Sequence, residues 1–365
     1  ETLYSCGLRV SELVNLRFSD LYFEMFSCLT TTGATIFDSS NLIAEPIHLW
    51  RALVGWLGGF IFLVVAFAIL EPMNLGGFEI FRSNSESNFA TRIIVTKNSE
   101  ERLLKYSRKL FPLYFLFTAV VFIFLMSAGN RAFTSLCLAF STISTSGILP
   151  NNTGTFLEIG FLSQLIIVIF LTLSLSHTFS TLRDSSIIKR LKFEREFRVG
   201  IILIFATFFF FTLLDCFNLI GVNYSITLGE FFYTMWIKLF LLFSFITTTG
   251  FILEPINNQF FVIPFSILAG LSLIGGGVAT TAGGIKLLRV YTLYKHGSNE
   301  LNRLSHPRSV TGSGGAGRDI RKEGAFIAWI FFMVFVLIGS GMVLFLSFFD
   351  IPLQNSVILT ASALS

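Results

Sequence analysis

The stretch F-S-C-L-T-T-T-G, residues 26–33, decides how the rest of the chain is read. It sets Ser27 and three consecutive threonines against a closing glycine, inside otherwise apolar sequence. One such run is what a turn or a helix cap needs. The pattern returns as F-S-T-I-S-T-S-G at 140–147 and as F-S-F-I-T-T-T-G at 243–250. Its glycines, Gly33, Gly147 and Gly250, lie 114 and 103 residues apart. Three unrelated turns would rarely share eight positions, and self-similarity at such spacing marks a repeat architecture.

The chain around the repeat is too apolar for a soluble globule. Of its 365 residues 53% are hydrophobic and 13% charged, against about 25% charged in soluble domains. Mean hydropathy is +0.74. Residues 52–70, 111–129, 259–285 and 324–349 carry no charge, and a helix of roughly 20 apolar residues crosses a bilayer core. Alternating strands of about 10 residues, the mark of a membrane barrel, are absent from the sequence. The expected fold is therefore an all-α integral membrane protein.

Placement of charge orients it. Of 26 Lys and Arg, 21 fall in 82–109, 183–198 and 286–322, while 143–160, 215–230 and 247–262 hold none. The positive-inside rule makes the basic loops cytoplasmic and places the glycine motifs on the outer side. No aromatic or groove-reading element accompanies the basic runs, so no nucleic-acid partner is expected. Cys6, Cys28, Cys137 and Cys216 are isolated, without metal-type spacing, and no cleavable signal peptide is apparent.

Each motif follows a short apolar segment (20–29, 132–143, 229–246) and precedes a longer one. A segment of about 10–15 residues is too short to cross and should re-enter on the same face. Non-helical backbone at membrane depth is tolerated only where protein surrounds it or water lines it. Thr and Ser runs ending in Gly can aim successive carbonyls at one axis, as in the filters of potassium channels. Helix caps at three helix ends are the bland alternative. A four-fold ring needs a fourth copy, and "ILTASALS" at the end of the sequence aligns Ser362 to Ser365 with Ser27 to Thr30.

Together with G-G-G-V-A-T-T-A-G-G-I-K-L-L-R-V at 275–290, these signatures resemble the Trk/Ktr/HKT superfamily of potassium transporters, most closely its bacterial Trk-type membrane subunit. The resemblance implies helix–pore-loop–helix units in pseudo-four-fold arrangement, incomplete here at both ends, in a multi-pass protein of the bacterial inner membrane. It places a selectivity filter at Thr31, Thr32, Gly33, Thr145, Ser146, Gly147, Thr248, Thr249 and Gly250. Gly33 favours potassium, because a serine there marks sodium-favouring relatives. A gate loop is expected at Gly275, Gly276, Gly277, Thr280, Thr281, Gly283 and Gly284. A helix-packing site of small residues is the alternative for that stretch. The resemblance further implies K+ as the transported ion, no bound cofactor, no enzymatic activity, a homodimer in lipid, and a peripheral cytoplasmic nucleotide-binding regulatory subunit.

The expected organisation is repeat 1 at 19–81, repeat 2 at 110–198, repeat 3 at 199–296 and a partial repeat 4 at 324–365, with cytoplasmic loops at 82–109 and 297–323. Residues 1–18 stand apart as a scrap rather than a domain. Residues 1–17, with G-L-R-V-S-E-L around Arg9, resemble a fragment of a Xer-type tyrosine recombinase. The downstream catalytic set of that family is lacking, since the echo at His177 has no preceding arginine. The expectation is a truncated transporter in which potassium conduction through a carbonyl-lined filter is impaired. The alternative is a non-conducting remnant of a degraded or chimeric gene. Lys238 is expected to snorkel, Arg51 and His48 to anchor at the outer interface, and Lys286 and Arg289 to anchor at the inner mouth. Asp38 and Glu254, just beyond the first and third motifs, read either as concentrating cations at the outer mouth or as solvated loop residues.

Overall fold

The structure is a computed structural model that describes residues 18–36, 45–70, 99–150, 159–175, 195–220, 228–253, 263–305 and 322–365. Every regular element among them is helical. The first helices are α1 (Phe18–Leu29) and α2 (Glu45–Val65, continued by a π-turn at Ala66–Leu70). Next come α3 (Ser99–Ser127), α4 (Ala132–Ser144) and α5 (Phe161–Leu173). Then come α6 (Arg195–Ile220), α7 (Leu228–Ile246), α8 (Phe265–Ile274) and α9 (Leu287–Ser305), followed by α10 (Lys322–Ser347) and α11 (Leu353–Leu364). Five stretches are long and apolar enough to cross a membrane: Glu45–Leu70, Glu100–Ser127, Glu196–Asp215, Gly229–Ile246 and Ala325–Ser347.

Packing follows the order of the sequence repeat. The short helices α1, α4, α7 and α11 each lie against a long neighbour of their own unit. In addition, α2 packs on the next short helix α4, α5 on α7, and α8 on α11. Lipid-facing chemistry lies outside. Ile202, Phe209, Phe210, Phe115 and Leu337 are all more than half exposed, whereas the core of Leu138, Ile167, Phe240, Leu242 and Ile246 is fully buried. A large apolar rim around a packed interior is stable only in a solvent as apolar as itself.

Close approach between helices rests on small residues. Gly58 of α2 lies against the Leu29 carbonyl at the end of α1, and a methyl group on Gly58 would overlap it. Gly55, one turn earlier, leaves only 2.9 Å between such a methyl and Ile148 Cδ1. Overpacking of this kind costs about 1–3 kcal/mol. Gly58→Ala should therefore lower the thermal melting temperature of the purified protein, which thermal denaturation in detergent measures.

Two element boundaries differ from the sequence expectation. Helix α3 begins at Ser99, so the last part of the basic stretch 82–109 is helical; Glu100 and Glu101 in its first turn suit the positive end of the helix dipole. The third short helix, α7, has 19 residues and is long enough to cross, although it ends in the same geometry as its shorter counterparts. Residues 1–17, with the recombinase-like stretch, lie outside the described residues, as do Asp38, His177 and Glu254.

Candidate ion-filter site

The three glycine motifs adopt one backbone. Thr31, Thr145 and Thr248 are left-handed, with φ of 60°, 52° and 55°. Two residues on, Gly33, Gly147 and Gly250 are left-handed as well, with φ of 71°, 68° and 75°. In each copy the amide between them reaches back to the motif serine: Thr32 to the Ser27 carbonyl at 3.0 Å, Ser146 to Ser141 at 3.1 Å, and Thr249 to Ser244 at 2.9 Å. Locally this is a Schellman-type helix end, whose left-handed residue is usually glycine. Threonine there costs about 1–2 kcal/mol, and such strain persists where surrounding structure imposes it, commonly at ligand clamps. The helix-cap alternative is thus correct as local structure, and the threonine strain is what a cap alone does not explain.

The copies also touch one another in order. Gly33 faces the backbone carbonyl of Ser146, and Gly147 faces that of Thr249, each so closely that a Cβ would overlap the oxygen. Thr145, Ser146 and Thr249 are buried, while Thr32 is exposed. The structure brings all nine expected filter residues into three equivalent segments, with the first two glycines each against the segment that follows.

The glycine stretch at 275–284 interrupts a helix. Helix α8 stops at Ile274 and α9 starts at Leu287, yet the amides of Ile285 and Lys286 bond the Leu273 and Ile274 carbonyls at 2.9 and 3.0 Å. Residues 275–284 therefore loop out while the feet of the loop stay stitched together. Gly275, Ala279, Gly284 and Lys286 all have positive φ. The loop reaches the glycine-motif segments: Thr145 Oγ1 donates to Thr281 Oγ1 at 3.1 Å, and the Gly283 amide donates to Thr248 Oγ1 at 2.8 Å. On its other flank the Val278 amide donates to Glu196 Oε2 of α6 at 3.1 Å. A cavity of about 60 Å³ adjoins Ala279, Thr280 and Thr281, walled by Leu63, Tyr114, Phe117 and Phe170.

Several charged residues sit elsewhere than the sequence suggests. Lys238 does not snorkel: it is buried on α7 and paired with buried Asp215 of α6. Arg51 does not anchor at an interface but is buried and paired with Glu24 of α1 at 2.9 Å, and His48 is buried one turn before it. Lys286 folds beneath its own loop and donates to the Ala282 carbonyl, with Phe62 at 5.6 Å. Arg289 is buried and stacks on Phe331 at 4.3 Å. Glu24, Glu196 and Asp215 have no role in the sequence reading, and the one signal available was an acid bordering or interrupting apolar sequence. Among the described residues no cluster of His, Cys, Asp or Glu could hold a metal ion, and Cys28 and Cys137 are buried thiols.

The fold and site define a class: a multi-pass helical membrane protein built from repeated pore-loop units. The chain belongs to the TrkH family of cation transport proteins, whose profile matches residues 4–350. That match enters the stretch resembling a recombinase. The chain is 29% identical over 335 residues to the Trk system potassium uptake protein TrkH of Escherichia coli K12, covering 90% of this chain and 66% of that protein. It is 30% identical to the Salmonella typhimurium protein of the same name, with the same coverage. Its fold is similar to the crystal structure of the potassium transporter TrkH from Vibrio parahaemolyticus, with a TM-score of 0.76, 25% identity, and 95% and 69% of the two chains covered. The chain thus spans just under two thirds of the length of the Escherichia coli and Salmonella typhimurium relatives. The family is one of inner-membrane transporters rather than enzymes.

Proposed function

We propose that this chain forms the conducting body of a potassium-uptake transporter, with Thr31–Gly33, Thr145–Gly147 and Thr248–Gly250 as walls of one selectivity filter. The observation that carries the reading is the shared alternation of left-handed residues in three segments that contact one another in sequence order. Alternating handedness turns successive carbonyls toward one side instead of opposite sides, and a ring of such oxygens replaces the hydration shell of a cation. Flux of rubidium into a potassium-uptake-deficient host tests it: uptake should exceed that of sodium, and Gly33→Ser should shift the preference toward sodium. Sodium and rubidium entering equally would overturn it.

Residues Gly275–Gly284 act in this proposal as the gate. Glu196 and the filter threonines hold the loop beneath the filter, and the adjoining cavity gives it room to withdraw. A hydrogen bond to a charged group is worth about 1.5–3 kcal/mol and one to a neutral group about 0.5–1.5 kcal/mol. Glu196→Gln, which keeps an acceptor for the Val278 amide but removes the charge, should therefore raise rubidium flux up to about tenfold by loosening the closed loop. Unchanged flux at equal expression would contradict the assignment. Kinship with the family extends the proposal to a homodimer carrying a peripheral nucleotide-binding regulatory subunit.

A further inference from the structure

The pore segments have equivalent backbones but are held from behind by different physics. Directly after the filter glycines come Ala34, Ile148 and Phe251. Ile148 and Phe251 are fully buried and seat their segments as apolar plugs. Ala34, Thr35 and Ile36 are exposed, so the first segment has no such plug. It has a carboxylate instead. Three residues before the motif serine stand Glu24, Leu138 and Leu241, and only the first is charged.

Glu24 is 1% exposed, and both of its oxygens are committed. Oε1 accepts from Thr35 Oγ1 at 2.6 Å and from the Ile36 amide at 2.7 Å. Oε2 meets Arg51 Nε at 2.9 Å, from a guanidinium that is itself buried on α2. One turn along α1, Ser27 Oγ donates to the Ala34 carbonyl at 2.7 Å. Three consecutive residues leaving the first filter segment are thus tied to their own short helix, and that helix is tied to α2 through the ion pair.

We propose that Glu24, held by Arg51, is the positioning residue of the first filter wall and sets the discrimination between potassium and sodium. The inference rests on the filter reading above. Discrimination needs the oxygens of every wall to keep their spacing and field. A wall without an apolar plug loses both when its carboxylate clamp is cut. Charge-assisted hydrogen bonds are the strong ones, and two of them tie this segment to Glu24.

The test is thermal melting of the purified full chain in detergent, titrated with potassium chloride or sodium chloride against choline chloride at constant ionic strength. Wild type should be stabilised at lower potassium than sodium concentration. Glu24→Gln should reduce that preference about tenfold, the effect of losing one hydrogen bond to a charged group. Glu24→Gln leaves Arg51 buried without its partner and can fail to fold. Thr35→Val keeps the ion pair, and the E24Q/R51M double variant removes both charges; each should also lower the preference. If both fold and retain the wild-type ratio, Glu24 is only structural and the inference is wrong. A wild-type protein that does not prefer potassium overturns the filter reading itself.

Discussion

Replacing Gly147 by alanine is expected to abolish selective cation flux while leaving most of the fold intact. Two effects add at this residue. Its φ of 68° is left-handed, which costs a side-chain-bearing residue about 1–2 kcal/mol. The new methyl would also overlap the carbonyl of Thr249 in the neighbouring segment, so that oxygen must move. A displacement that costs a further ~1–2 kcal/mol brings the sum to about 3 kcal/mol, or roughly 100-fold in rate. Rubidium uptake at matched expression checks it. Retention of more than half the wild-type flux would show that the contact between segments two and three does not shape the path.

The largest stability effect is expected at Lys238. Its ammonium and the Asp215 carboxylate are both almost fully buried, one on α7 and the other on α6. Removing one partner of a buried pair strands the other charge, at a cost of about 3–5 kcal/mol. Lys238→Met should lower the melting temperature sharply or prevent accumulation in the membrane. Replacing both residues, as Lys238→Met with Asp215→Leu, should recover most of the loss, because well-packed apolar side chains often do as well as a buried pair. Thermal melting of the wild type and the two variants separates these outcomes. A double variant as unstable as the single one would mean that the pair specifies packing that apolar residues cannot replace.

Much of the architecture was legible because it is punctuated. Gly33, Gly147 and Gly250 are needed where the backbone turns left-handed, the first two against a neighbouring carbonyl, so they repeat visibly. The interrupted helix at 275–284 was legible for the same reason, since that glycine density breaks a helix in any context. The charged partners were not. Pairing of Glu24 with Arg51, or of Lys238 with Asp215, depends on which helices pack together, and no local period encodes that. A lone lysine in an apolar helix reads as snorkelling until its partner is in place. The length of α7 was also hidden, because apolar composition runs through it without a break. The left-handed threonines have no sequence signal, since threonine is an unfavourable choice for that conformation.

If the three motifs surround one cation path, crystals of the protein grown with rubidium in place of potassium should reveal it by anomalous diffraction. Rubidium peaks are expected on the axis bounded by Thr32–Gly33, Ser146–Gly147 and Thr249–Gly250. Well-phased maps with no peak there, or with rubidium bound only at surface carboxylates, would contradict it.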